Sequence, residues 1–337
     1  MKKLQSFIDK YDIILFDMDG VITNERHYWN TSALVINDLF SSSKYFGDGE
    51  VDVEQAMQNR AAITGEIFCG DKTISLLKNK GVNSNWDIVY IVTCILLMLA
   101  KEGKNRDYEA VYKYVQILPD NALDIYTYIA GELMNATGKP MEYCERDGEL
   151  WQMVVALFQE WYLGSERHPG MISQETPLFS VEELAEIFAA LTASGKTLGY
   201  GTGRTAYEVE TPVKRWGFER YFDKNRGVSY DTVVAGEKNL RELGCETTLT
   251  KPHPYVFLKG LYGLDYSDKK LIDGNYDRAL IPKLLVVGDA GADILAAQAM
   301  DADFCAVLTG VSGQAARGYF EELGSTYILD SILNFFE

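Results

Sequence analysis

With 337 residues, 47% of them hydrophobic and 24% charged, the chain is long enough for about two packed domains, which excludes a disordered or fibrous protein. A formal net charge of −17 argues against nucleic acid or an anionic membrane as a partner, although a local pocket of lysine and arginine can still hold a small phosphate. The five cysteines, at 69, 94, 144, 245 and 305, are odd in number and widely spaced, which argues against a disulfide framework and for reduced thiols in a cytoplasmic protein.

The first ten residues lack the long apolar core of a signal peptide. They lead into the apolar run Ile13-Ile14-Leu15-Phe16, a short buried strand that ends on Asp17-Met18-Asp19-Gly20. Two acids at a strand end are costly unless something requires them, and Gly20 lets the chain turn so that both can reach one mouth. After Val21-Ile22-Thr23 the pattern becomes helical, with helices expected at about 28–41, 50–64, 85–101, 106–117, 121–136 and 147–162. The apolar run Ile88 to Ala100 is too short to cross a bilayer and reads as a buried helix. Tyr108, Val111, Tyr112 and Val115 fall at helical spacing and read as a core stripe. The stretch Gly164 to Pro177 reads as a return linker.

Beyond it, Ser180-Val181-Glu182-Glu183 is a capping box opening a helix to about Ala193. A second strand follows at about 196–201, then a helical stretch to Gly217 that Pro212 should interrupt. A third strand is expected near Thr232-Val233-Val234-Ala235, a helix at about 254–262, a fourth strand ending at Gly288, a helix from Asp293 to Met300, a fifth strand at about 304–308 and a closing helix at about 331–336. This alternation predicts an α/β fold: a Rossmann-like parallel sheet, residues 1–23 and 176–337, interrupted by an all-helical domain over 24–175.

Each apolar run in the sheet domain halts at a polar group: Asp17 and Asp19, then Thr202-Gly203-Arg204, then Asp289 with Asp293 four residues on, while Lys251 opens Lys251-Pro252-His253-Pro254. In an open parallel sheet the ligand crevice lies beyond the carboxyl ends of the strands, so these positions should converge. Asp17, Asp19, Asp289 and Asp293 would bring four negative charges together. Each pair at about 4 Å repels by roughly 1 kcal/mol in water and about 4 kcal/mol at an effective dielectric of 20, so a bound cation is expected. Hard oxygen ligands favour Mg²⁺, and three histidines far apart with no cysteine pair at ligand spacing disfavour zinc. A lone acid after a strand would read as a turn former or helix cap, but a cap needs one acid and not two. His253 reads as structural, and Arg26 and His27 open the insert, where a role toward substrate is open.

The aspartate pair, the threonine, the lysine and Gly-Asp-x-x-x-Asp, in that order, resemble the haloacid dehalogenase superfamily, in particular its phosphatase-like members with an inserted helical cap of the phosphoglycolate phosphatase and β-phosphoglucomutase kind. The resemblance covers 12–23 and about 176–337. It implies a phosphoric monoester hydrolase in which Asp17 attacks phosphorus, Asp19 serves as general acid and base with its pKa raised by neighbouring carboxylates, Thr202 donates to a phosphoryl oxygen and Lys251 supplies a fixed charge. It also implies metal binding by Asp17, the backbone carbonyl of Asp19, and Asp289, with Asp293 behind them. Backbone amides at Gly20 and Gly203 would bind the substrate phosphate, and Arg204 reads either as a further phosphate ligand or as the partner of a surface acid. The expected partner is a small phosphorylated metabolite, met by a monomer or homodimer. A phosphomutase shares every core residue, a non-catalytic phospholigand-binding protein is the remaining alternative, and dehalogenation is disfavoured because Asp19 is present. The insert is longer than the common cap, and no position in it matches a substrate-reading motif.

Overall fold

The computed structural model describes residues 3–82 and 84–336. The chain divides into two compact units, Met1–Asn24 with Glu175–Glu337, and Glu25–Gln174.

The first unit holds a six-stranded parallel sheet: β1 (Ile13–Phe16), β2 (Thr197–Gly201), β3 (Phe222–Val228), β4 (Leu284–Gly288), β5 (Asp303–Val307) and β6 (Tyr327–Leu329), in spatial order β3-β2-β1-β4-β5-β6. Two-residue periodicity sorts the central strands between two cores. Ile13, Leu15, Leu284, Val286, Phe304 and Ala306 face one, while Ile14, Phe16, Leu285, Val287, Cys305 and Val307 face the other. Because both faces are covered, these strands are continuous apolar runs, which is why they are legible as sequence. Phe16 lies opposite Tyr200 on one side and Val287 on the other, so β1, β2 and β4 end at nearly the same level. The chain builds outward from β1 first through β2 and β3, then through β4, β5 and β6, and the crevice between β1 and β4 is where such a sheet holds its ligand.

Three expectations for this unit need correction. The segment Thr232-Val233-Val234-Ala235 is not a strand; it lies within the helix Tyr230–Glu242, which Ser229 and Thr232 start as a capping box. The third strand is instead β3, whose sequence FDKNRGV is polar because it forms the sheet edge, with Asp223, Lys224 and Asn225 exposed. Pro212 does not break its helix, which runs unbroken over Ala206–Arg215. A proline in a helix interior leaves the carbonyl four residues earlier, here Glu208, without its backbone donor. The guanidinium of Arg204 supplies the missing partner, Nη1 donating to the Glu208 carbonyl at 3.2 Å. The edge strand β6 has no counterpart among the expected elements, and the closing segment is a 3₁₀ turn, Ile332–Phe335.

The second unit is helical. Its centre is the helix Asn85–Lys101, buried along nearly its whole length and packed against Arg26–Ser41, Ala122–Thr137 and Glu149–Leu163. The segment expected as one helix over 50–64 is two, Val53–Gln58 and Arg60–Ile67, meeting at Asn59. The helices Lys72–Asn79 and Met141–Cys144 were not expected. Of the expected core stripe Tyr108, Val111 and Val115 are buried, while Tyr112 is only half-buried. Two buried acids are satisfied by side chains: Asp87 accepts from Trp151, Tyr126 and Arg146, and Asp38 from Trp161 and Arg167. Arg26 pairs with Asp71 at 2.6 Å and stacks 4.8 Å from the Trp29 ring centre. Among the described residues no helix is long and apolar enough to cross a membrane.

Candidate active site

Asp17 is the first residue past β1, and its amide donates to the Val287 carbonyl of β4 at 2.8 Å, which fixes its backbone between the two central strands. Asp289 is the first residue past β4, and Asp293 lies in the first turn of the helix Gly291–Gln298 that follows. Carboxylate oxygens of Asp17, Asp289 and Asp293 all lie within 4.8 Å of one another. Lys251 enters from the loop before the helix Tyr255–Tyr262. Its Nζ donates to Asp17 Oδ1 at 2.8 Å, Asp293 Oδ1 at 2.7 Å and the Gly201 carbonyl at 3.0 Å. An ammonium has three N–H donors, so two strand ends and the first turn of a helix hold this one in place.

Three carboxylates against one lysine leave a formal charge of −2, which a divalent cation would balance. The donor set is all oxygen, as Mg²⁺ requires, and the backbone is shaped to admit the acids. A Cβ on Gly20 would stand 2.3 Å from Asp289 Oδ2, and one on Gly310 would stand 1.9 Å from the same atom, so a side chain at either position would have to displace that carboxylate. Gly20 also has φ of +72°, a conformation that favours glycine. Thr309 Oγ1 donates to the Gly20 carbonyl at 2.5 Å and ties the loop after β5 to the turn after β1. Burial pushes the Asp17 carboxyl up to about 7; the Lys251 charge opposes that shift and Asp293 adds to it. For Lys251, burial alone would lower the pKa, but Asp17 and Asp293 together carry it above the ordinary lysine value.

Asp19 does not join this cluster. Its carboxylate is held by Arg204, with Nε at 3.1 and 3.0 Å from Oδ1 and Oδ2 and Nη2 at 2.5 Å from Oδ1, and Thr23 Oγ1 donates to Oδ1 at 2.9 Å. The expectation of four gathered acids therefore becomes three, with the neighbour of Asp19 a guanidinium where carboxylates were expected.

Arg204 was expected either to meet substrate or to pair with a surface acid; it pairs with two acids, Asp19 half-buried and Glu175 buried. The structure directs it inward: only 2% of its side chain is exposed, and besides Asp19 it contacts Glu175 Oε1 at 2.6 Å and the Glu208 carbonyl. The amides of the Gly20 turn are likewise committed, Gly20 to the Thr23 carbonyl and Val21, Ile22 and Thr23 to that of Met18, so Gly20 serves close approach and not anion binding. Gly203 is exposed, and a side chain there would meet nothing within 4 Å. Thr202 sits just past β2, its amide bonded to Val228 and its hydroxyl accepting from the Arg204 amide at 3.2 Å. That leaves the hydroxyl proton to donate. His253 is structural: Nδ1 accepts from the Tyr255 amide at 3.1 Å at the helix start, and burial lowers its pKa.

Sequence reasoning missed Thr23, Glu175, Glu208, Thr309 and Gly310. Gly310, just past a buried strand, carried a signal of close backbone approach. Glu175 carried none, since nothing local ties it to Arg204.

Comparison with known proteins agrees with this architecture. Residues 248–335, which contain Lys251, Asp289 and Asp293, match a family model described as HAD-hydrolase-like. A structural-genomics target solved by X-ray crystallography is 26% identical, covers 98% of this chain and 96% of its own, and superposes with a TM-score of 0.81. A HAD-superfamily hydrolase of subfamily IA from Geobacter sulfurreducens is 13% identical over 96% of this chain and 94% of its own, with a TM-score of 0.41. A proposed β-phosphoglucomutase from Thermotoga maritima is 14% identical over 96% of each chain, with a TM-score of 0.47. No curated protein matches the chain. The chain is thus similar to the HAD-hydrolase-like family over its C-terminal part, and it shares the parallel sheet with a helical insert with the structural-genomics target over nearly its whole length.

Proposed function

We infer that this protein is a Mg²⁺-dependent phosphatase that hydrolyses a small phosphorylated metabolite through an aspartyl phosphate on Asp17. The observation that carries this reading is the position of Asp17, a buried carboxylate at the end of the central strand, bonded to Lys251 and within ligand distance of Asp289 and Asp293. Asp17, Asp289 and Asp293 would hold the cation, which when bound spreads the negative charge of the phosphoryl oxygens.

In the first step an Asp17 carboxylate oxygen forms a bond to phosphorus, the bond from phosphorus to the leaving oxygen breaks, and that oxygen takes a proton from Asp19. In the second, water loses a proton to Asp19 as its oxygen bonds to phosphorus, and the bond between phosphorus and Asp17 breaks, releasing inorganic phosphate and restoring both carboxyls. Thr202 donates to a phosphoryl oxygen. Lys251 holds Asp17 aimed and offsets charge on the cluster. The helical insert would act as a cap that chooses the leaving group, and the protein is read as cytoplasmic and as a monomer or homodimer.

A panel of phosphorylated metabolites assayed for phosphate release with Mg²⁺, with chelator and with Asp17→Asn tests the reading. Release that needs Mg²⁺ and vanishes in Asp17→Asn is expected; undiminished release from that variant would remove Asp17 as nucleophile. Transfer of phosphate to another position of the same molecule without release would make the protein a mutase.

A further inference from the structure

Arg204, a residue that looks made for a substrate phosphate, is almost wholly buried and faces three acceptors of its own chain: the Asp19 carboxylate, the Glu175 carboxylate and the Glu208 carbonyl. We propose that Arg204 is a positioning residue for Asp19, and that Pro212 completes the device by freeing the carbonyl that anchors the guanidinium. This rests on the reading of Asp19 as the proton-transferring group.

The argument is geometric. Asp19 lies beyond the end of β1, inside the turn from Met18 to Thr23, so the direction of its side chain depends on what it bonds. Three hydrogen bonds converge on its Oδ1, from Arg204 Nε, Arg204 Nη2 and Thr23, and Arg204 Nε also reaches Oδ2, which fixes the plane of the carboxylate. The guanidinium can do this only if it is itself held. A guanidinium spreads its donors over three nitrogens in one rigid plane, so it can grip both oxygens of one carboxylate with one edge while another nitrogen bonds elsewhere, which the single nitrogen of an ammonium cannot. Here one edge meets Asp19 while Nη1 meets both Glu175 Oε1 at 2.6 Å and the Glu208 carbonyl at 3.2 Å. That carbonyl needs an outside donor because Pro212, four residues on, has no N–H to give. The Thr205–Glu208 capping box sets the helix start just beyond Arg204, so the arginine backbone and its anchor belong to one rigid turn. Proline inside a helix is otherwise unfavourable, and its presence at this position is accounted for by what it exposes.

The test separates holding Asp19 from holding the helix. Thermal stability and the hydrolysis of p-nitrophenyl phosphate with Mg²⁺ are measured for wild type, Arg204→Ala, Arg204→Lys, Pro212→Ala and the double variant Arg204→Ala with Pro212→Ala. Pro212→Ala returns an N–H to the helix and with it the backbone bond to Glu208, so it should lose no Tm; its kcat should fall severalfold, less than in Arg204→Ala, because Arg204 then shares its anchoring carbonyl, and an unchanged kcat would remove Pro212 from the device. Arg204→Ala should lower Tm and should lower kcat by about 100-fold with a much smaller change in KM, as misplacement of a catalytic group does. Arg204→Lys should recover only part of kcat, since it can bond Asp19 from a single point.

In the double variant Tm should rise above that of Arg204→Ala while kcat stays low. Recovery of kcat in step with Tm would reduce Arg204 to a structural role and overturn the proposal, as would unchanged kcat in Arg204→Ala. Additive losses of Tm, with no coupling between the two sites, would remove Pro212 from the device. If Asp17→Asn keeps full turnover, the nucleophile reading fails on its own, and the Tm coupling between Arg204 and Pro212 is still read independently of it.

Discussion

At the scale of single residues, the site is a charge balance that a cation should complete. Lys251 is mostly buried and bonded to two carboxylates, and breaking such a group by removing one partner leaves uncompensated charge. Lys251→Met should therefore cost about 3–5 kcal/mol of stability. Mg²⁺ should restore more of that loss than it adds to wild type, since it supplies the missing charge; denaturant titrations with and without Mg²⁺ that show equal gains would contradict this.

Asp17 gives a second prediction. Its carboxyl is raised from the ordinary 3.8 to about 7 chiefly by burial, so between those values the folded protein keeps a proton that the unfolded chain has released. The sign follows: without metal, wild-type stability should fall relative to Asp17→Asn as pH rises from about 4 to about 7. Parallel stability curves for the two proteins over that window would show that Asp17 is not raised.

At the scale of elements, the two glycines beside Asp289 are predicted to be as necessary as the acid. Gly310→Ala would put a methyl 1.9 Å from Asp289 Oδ2, closer than any real contact, so the carboxylate or the loop after β5 must move. The expected result is a Mg²⁺ affinity lowered about tenfold or more with the fold retained, read from the Mg²⁺ dependence of Tm. An unchanged dependence would place the cation elsewhere.

The elements also show what a sequence can and cannot reveal. β1, β4 and β5 were legible because burial on both faces forces apolar residues at every position, and the acids at their ends stood out against those runs. β3 was not, because an edge strand is polar, and Thr232-Val233-Val234-Ala235 looked more like a strand than FDKNRGV does. Composition favoured β structure at 232–235, yet the capping at Ser229 and the packing of Val233 and Leu240 made a helix. The cluster of Asp17, Asp289, Asp293 and Lys251 followed from strand order. The direction of Arg204 did not, because it depends on Glu175, across the insert, and on a carbonyl that only the helix around Pro212 makes available.

At the scale of the whole molecule, the insert leaves and rejoins the sheet unit through neighbouring backbone. Leu178 donates to the Ile22 carbonyl at 2.8 Å, Asn24 donates to that of Thr176 at 3.4 Å, and Thr23 bridges to Pro177. Asn24 and Glu175 can therefore be joined by a short link without stretching either strand of this ladder. The sheet unit keeps both its apolar cores, and the cluster of acids with Lys251 lies entirely within it. A protein lacking residues 25–174 and carrying a brief glycine-rich link should consequently fold, unfold cooperatively and gain stability from Mg²⁺. Its hydrolysis of p-nitrophenyl phosphate should still depend on Asp17, while its discrimination among natural phosphate esters should be largely lost, because selection of the leaving group is the task proposed for the insert. Circular dichroism with thermal melts reads the first part and the ratio of kcat/KM across a substrate panel reads the second. An excised protein that fails to fold would show that the two units form one cooperative structure, and one that folds with its substrate preference intact would place specificity in the sheet unit.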